Sequence, residues 1–233
     1  MLNQSTNQSF SAINQKYNLL TSFRFETLMG IYHKTTKFDF MKKIGLTGGI
    51  GSGKTFIANI LEKMGYPVFY SDKRAKELSN QHPEIQKKLK GVFGNEIYVN
   101  GTLNVTFLSN KIFTSPDLRE TVNSIIHPVV RNDFNKWTEG YSNHSLVFNE
   151  AAILFETKAF KNFDANILVY APQDIKIQRL LQRDEVSKET ILTKMNTQWG
   201  DSKKMSLTRH HILNDGKTPI LNQIEEILIR LNQ

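Results

Sequence analysis

Apolar residues along this chain fall into two kinds of pattern. Ile44-Gly45-Leu46-Thr47, Val68-Phe69-Tyr70, Leu146-Val147-Phe148, Ile167-Leu168-Val169-Tyr170 and His211-Ile212-Leu213 are short runs bounded by turn or polar residues. Such runs read as strands buried on both faces. Elsewhere apolar residues recur at helical spacing: Phe56, Ile57, Ile60, Leu61 and Met64 up to Gly65, then Leu118, Val122, Ile125, Ile126 and Val129, and finally Ile220, Ile224, Ile227, Leu228 and Leu231. Five strands separated by helical stretches predict an α/β fold, a parallel five-stranded sheet with helices on both faces.

Two segments exceed what a simple crossover needs. Residues 83–137 lie between the second and third strands, and their length predicts a helical insertion that serves as a substrate-binding subdomain. Residues 187–207, rich in Lys, Thr and Ser with weak apolar periodicity, read either as a mobile lid or as ordinary surface helix. A nucleotide-binding core of residues 42–82 and 145–233 remains. The first forty residues differ from the rest. Asn, Gln and Ser dominate up to Gln15, which predicts a poorly structured N-terminal extension over 1–40. It is either a transit-like leader or a tail ahead of a functional start at Met41.

Composition narrows the chemistry. The 233 residues include no cysteine, which excludes a disulfide scaffold, a thiolate zinc site, a cysteine nucleophile and an iron–sulfur cluster. No run approaches the ~20 apolar residues of a membrane helix, and a cytoplasmic protein is expected. The net charge of +8 points either to an anionic partner or to a mildly basic solvated surface.

Gly48-Gly49-Ile50-Gly51-Ser52-Gly53-Lys54-Thr55 fits G-x-x-x-x-G-K-[ST] and stands between the first strand and the first helical pattern. Glycines let successive amide N–H groups turn inward around a phosphate where a Cβ would collide. The helix that follows directs its positive end at the same anion. The Lys54 ammonium can reach the β- and γ-phosphates, and the Thr55 hydroxyl can ligate Mg²⁺. The nucleotide-binding candidates are therefore Gly48 to Thr55 with Phe56 directly after them, together with Arg183 further along, and ATP with Mg²⁺ is the expected ligand. The guanine-reading Asn-Lys-x-Asp is absent after the later strands, which disfavours a GTPase. The length suits a small-molecule kinase.

Other candidates carry two readings each. Asp72, just past the second strand, would face the loop and deprotonate an acceptor hydroxyl, or it would simply cap the next helix. Arg179 and Arg183, four apart on one helical face, would neutralise a transferring phosphoryl group. Otherwise they are solvent-exposed, with Arg183 paired to a nearby acid such as Glu185. Glu150 could act as a metal-side acid after the third strand, whereas Glu156 suits packing or substrate contact. His127-Pro128 breaks the insertion, and a lone histidine there reads as structural.

In its order of motifs the sequence resembles the dephospho-coenzyme A kinase family from about Lys42 onward. The loop Gly45-Leu46-Thr47-Gly48-Gly49-Ile50-Gly51-Ser52-Gly53-Lys54-Thr55 is followed by Ser71-Asp72, Gly101-Thr102-Leu103, Ile112-Phe113, His127-Pro128, Leu154-Phe155-Glu156, Arg179 with Gln182-Arg183-Asp184, Gln198, and Ile212 with Asn214 and Gly216. The resemblance implies ATP-dependent phosphorylation of the ribose 3′-hydroxyl of dephospho-coenzyme A, with neither nucleic acid nor membrane as partner. It implies a P-loop kinase core with a coenzyme-A-binding subdomain and a lid, Asp72 as the catalytic acid–base and Arg179 as the lid-side arginine. The alternatives are a kinase for another small acceptor, such as a nucleoside monophosphate, and a nucleotide-binding module without turnover. Several positions depart from the family pattern: Tyr70-Ser71-Asp72 replaces Asp-Ala-Asp, Lys76 an arginine, Asn104-Val105 an Asp-Arg, Ala152 a proline, and Thr208-Arg209 an Ala-Asp.

Overall fold

A computed structural model describes residues 41–184 and 186–233; the expectations for residues 1–40 and for Glu185 lie outside them. The strand runs form where the pattern places them: β1 Lys42–Thr47, β2 Val68–Tyr70, β5 Leu146–Glu150, β6 Ala165–Tyr170 and β7 His210–Leu213. They make one five-stranded sheet in the order β2-β5-β1-β6-β7, every neighbouring pair parallel. Central β1 therefore has a partner on each side and ends in the glycine loop, at the strand edge where open α/β sheets bind ligands.

The period of two sorts the core. Val68, Leu146 and Phe148 face a cluster with Ile57, Leu61, Ile224, Ile227 and Leu231, from α1 Lys54–Lys63 and a C-terminal helix Ile220–Leu231. Phe69 and Val147 face the opposite cluster with Leu78, Ile85, Leu89, Val122, Ile125 and Phe134. Those residues come from α2 Ser71–Gln81, α3 Pro83–Phe93 and α5 Pro116–Glu139. Both faces are covered, which is why the strands read as unbroken apolar runs.

Within the stretch between β2 and β5, α4 Val105–Phe113 precedes α5. The Asn104 side chain accepts from Phe107 N–H at 3.0 Å, so the departure from Asp-Arg at 104–105 keeps a helix cap. A two-stranded hairpin, β3 Tyr98–Val99 and β4 Thr102–Leu103, was not expected. Its turn places Asn100 and Gly101 at φ 50° and 78°, the left-handed pair that Asn-Gly supplies. One expectation is corrected here: His127-Pro128 does not break the insertion, because α5 continues through Pro128. Proline removes one backbone donor and crowds the preceding turn, but Val122, Ile125, Val130 and Phe134 bury the helix on both sides of it. His127 is partly buried, its pKa lowered by burial and then by Arg131.

Beyond β6 lie α6 Gln173–Arg183, α7 Lys188–Asn196 and α8 Asp201–Met205; Ile220–Leu231 is α9. No helix among the described residues is long and apolar enough to cross a membrane.

Candidate nucleotide and phosphoryl-transfer site

The loop between β1 and α1 depends on absent side chains. Gly51 and Gly53 adopt φ 79° and 87°, where L side chains are strained. A Cβ on Gly48 would collide with the Val169 carbonyl and the Ser52 hydroxyl, and one on Gly53 with the Asn214 amide. The loop is braced from behind. Asn214 Nδ2 donates to the Ser52 carbonyl at 2.9 Å, while Arg179 donates to Asn214 Oδ1 at 3.2 Å and to the Ser52 carbonyl at 3.5 Å. Ser52 itself is fully buried.

At the mouth, three strand ends converge. Lys54 Nζ lies 2.7 Å from Glu150 Oε1 and 3.8 Å from Asp72 Oδ2, and the Thr55 hydroxyl donates to Glu150 Oε1 at 3.1 Å. Glu150 is buried at the end of β5, so its charge is compensated by an ammonium and a hydroxyl. Asp72 lies in the first turn of α2 and makes no cap hydrogen bond; it accepts instead from Ala152 N–H at 3.1 Å. This corrects the reading of Asp72 as a helix cap. It also gives the Ala152 departure a meaning, since proline has no N–H to offer. Although 49% of the Asp72 side chain is exposed, burial of its carboxyl in the cleft raises its pKa above the ordinary value. Lys54 opposes the rise, Glu150 adds to it, and Ala152 N–H opposes it. A carboxyl held nearer neutrality beside a phosphate loop suits proton transfer.

Arg74 ties this helix to the insertion by two bonds to Asp133, at 2.6 and 3.1 Å. Nothing in the sequence marked that pair. The Phe56 side chain is exposed beside the loop. Arg183 shares the α6 face with Arg179 but is not brought to the loop: its guanidinium is engaged by Asp184 at 2.7 and 3.0 Å and is largely exposed. The solvent-exposed reading holds for Arg183, with Asp184 as the acid.

The segment 187–207 rests against the loop. Ile50 N–H donates to Gln198 Oε1 at 2.9 Å. Glu156, read from sequence as a packing or substrate residue, anchors this segment. It accepts from Trp199 N–H at 3.0 Å and pairs with the fully buried Lys204 at 2.9 Å. Lys203 lies over the Trp199 ring, 3.5 Å from its centre.

Among the described residues no three His, Asp or Glu side chains cluster as a metal site. Thr55 and Glu150, joined at 3.1 Å, instead offer a hydroxyl and a carboxylate, hard oxygen donors of the kind that hold Mg²⁺.

A family model and the curated relatives point to one family. A model of the dephospho-CoA kinase family matches residues 42–219. The dephospho-CoA kinase of Bacteroides fragilis is 37% identical over 191 residues, covering 82% of this chain and 93% of the relative. That of Porphyromonas gingivalis is 38% identical over 192 residues, covering 81% and 93%. Among solved structures, TT1252 from Thermus thermophilus superposes with a TM-score of 0.69 at 29% identity over 83% of this chain and 97% of its own. The dephospho-CoA kinase from Campylobacter jejuni, at 19% identity, shares the fold with a TM-score of 0.57 over 83% and 96%. With the phosphate loop, the strand order and these matches in agreement, the chain belongs to the dephospho-CoA kinase family.

Proposed function

We propose that this chain transfers the γ-phosphoryl group of ATP to the ribose 3′-hydroxyl of dephospho-CoA, giving CoA and ADP. The observation that carries the reading is the convergence of Lys54, Asp72 and Glu150 at the mouth of the glycine loop. The loop N–H groups bind the phosphate chain, and Lys54 follows the charge that moves toward the β–γ bridge. Asp72 accepts the proton of the attacking hydroxyl and orients it, with Ala152 N–H fixing one carboxyl oxygen. Arg179 holds the loop in its anion-binding shape through Ser52 and Asn214. Thr55 and Glu150 would hold Mg²⁺, which when bound neutralises charge on the nucleotide's phosphates. Residues 83–137 serve as the acceptor-binding subdomain. Residues 187–207 act as the lid that excludes water from the reacting phosphate.

A coupled ADP-release assay with dephospho-CoA, AMP, CMP and shikimate tests this function. Turnover confined to dephospho-CoA is expected. Turnover on another acceptor, or nucleotide binding without ADP release, would overturn it.

A further inference from the structure

Beside Gly49, four polar groups from three parts of the chain meet. Asp201 Oδ1, Gln198 Oε1 and Lys176 Nζ lie 3.4, 3.7 and 3.9 Å from the point where a Gly49 side chain would begin. They are joined in two pairs. Ile50 N–H donates to Gln198 Oε1, and Lys176 donates to Asp201 Oδ2 at 2.6 Å. The Lys176 side chain is only 10% exposed. The same residues line a cavity of about 380 Å³ that reaches Trp199 and Met195.

Both donors, the Ile50 N–H and the Lys176 ammonium, are anion-binding groups at the tip of the phosphate loop. Both acceptors come from one stretch of four residues, 198–201, in the segment proposed as the lid. An amide oxygen and a carboxylate oxygen together present to the loop what a phosphate presents: two acceptors, one of them charged. Stability is a poor account of the arrangement, since a largely buried ion pair gains little over an apolar pair of similar volume.

We propose that Lys176 and the Ile50 N–H form the γ-phosphate end of the nucleotide site, and that Gln198 and Asp201 occupy these two donors until the triphosphate displaces them. Lys176 then exchanges a carboxylate for a phosphate oxygen and stays paired throughout. Gly49 lets the exchange occur, because no side chain stands between the loop and Lys176. This rests on the reading that the loop takes ATP.

Calorimetric titration of the full chain with a non-hydrolysable ATP analogue and with ADP, both with Mg²⁺, tests it. Lys176→Met should weaken the analogue roughly tenfold, the scale of one charge-assisted hydrogen bond, and leave ADP within about twofold. Asp201→Asn should bind the analogue a few-fold more tightly, with ADP unchanged. Equal weakening of both nucleotides by Lys176→Met, or no weakening, overturns the γ-phosphate role, because a structural lysine would not separate them. Unchanged or weaker analogue binding in Asp201→Asn overturns the occupancy, and decides alone if Lys176→Met does not fold. Failure of the unaltered chain to bind either nucleotide would overturn the ATP reading and this proposal with it, an outcome distinct from all of these.

Discussion

Asp72 carries the proposed proton transfer on a carboxyl whose surroundings oppose its ionisation. Its carboxyl is pushed above the ordinary carboxylate value by burial, with Lys54 opposing and Glu150 reinforcing. If it takes the acceptor's proton, Asp72→Asn should lower kcat by about 10²–10⁴ while MgATP affinity barely moves, as steady-state kinetics and calorimetry would show. Near-normal turnover would remove Asp72 from the reaction. The raised pKa also fixes a sign in pH. The base works only when ionised, so kcat/KM for the acceptor should fall as pH drops through a value above the ordinary aspartate range, and the asparagine variant should lack that limb. For stability the sign reverses. The folded chain loses stability as pH rises from the unfolded pKa through the raised folded one, so at neutral pH Asp72→Asn should melt no lower than the parent.

The loop residues were legible because the chemistry demands those types at that spacing. The Ala152 N–H, the Lys176–Asp201 pair and the Glu156–Lys204 pair were not legible. Each joins positions far apart in sequence through a fold that no local pattern specifies.

At the scale of elements, strands were easiest to read. A parallel strand buried on both faces leaves an unbroken apolar run, and all five such runs became strands. The β3–β4 hairpin has two residues per strand, too few for a period to register, and the one local signal for it, Asn100-Gly101, went unread. Pro128 misled in the other direction, since a local breaker was overridden by burial on either side of it. The glycine loop offers a contrast that thermal melts can measure. A Cβ on Gly49 meets only contacts of 3.4–3.9 Å, so Gly49→Ala should leave the melting temperature within a degree or so. Gly53→Ala should cost more than ~1 kcal/mol, from the left-handed backbone and the neighbouring Asn214. Glu156→Gln leaves an acceptor for Trp199 N–H but strands Lys204, which is wholly buried. Loss of one partner of a buried pair costs about 3–5 kcal/mol, so hydrogen exchange across 198–205 should quicken. Unchanged protection there would refute the anchoring role.

At the scale of the molecule, the sheet order makes the site. Lys54 follows β1, Asp72 follows β2 and Glu150 ends β5, and the order β2-β5-β1 sets these three ends side by side. That arrangement was readable in outline from the parallel pattern, because parallel strands put every carboxyl end on one edge. A ligand that binds only the folded chain should stabilise it by about 2.7 kcal/mol at a hundredfold excess over Kd. For a chain of this size that corresponds to a rise of roughly 5–10 °C in Tm, measurable by thermal shift with MgATP. No rise would contradict nucleotide binding by the loop.

The packing around Trp199 has a practical consequence. The chain has two tryptophans and no cysteine. One indole, Trp137, is packed among Phe69, Phe134 and Tyr141; the other sits in the segment over the phosphate loop with an ammonium against its face. Replacing Trp137 with phenylalanine would leave Trp199 as the single tryptophan, whose selectively excited emission would report any movement of the proposed lid relative to the loop. A thiol introduced anywhere on the surface would be the sole labelling point, so distances to that fluorophore could be followed during turnover without removing a native group.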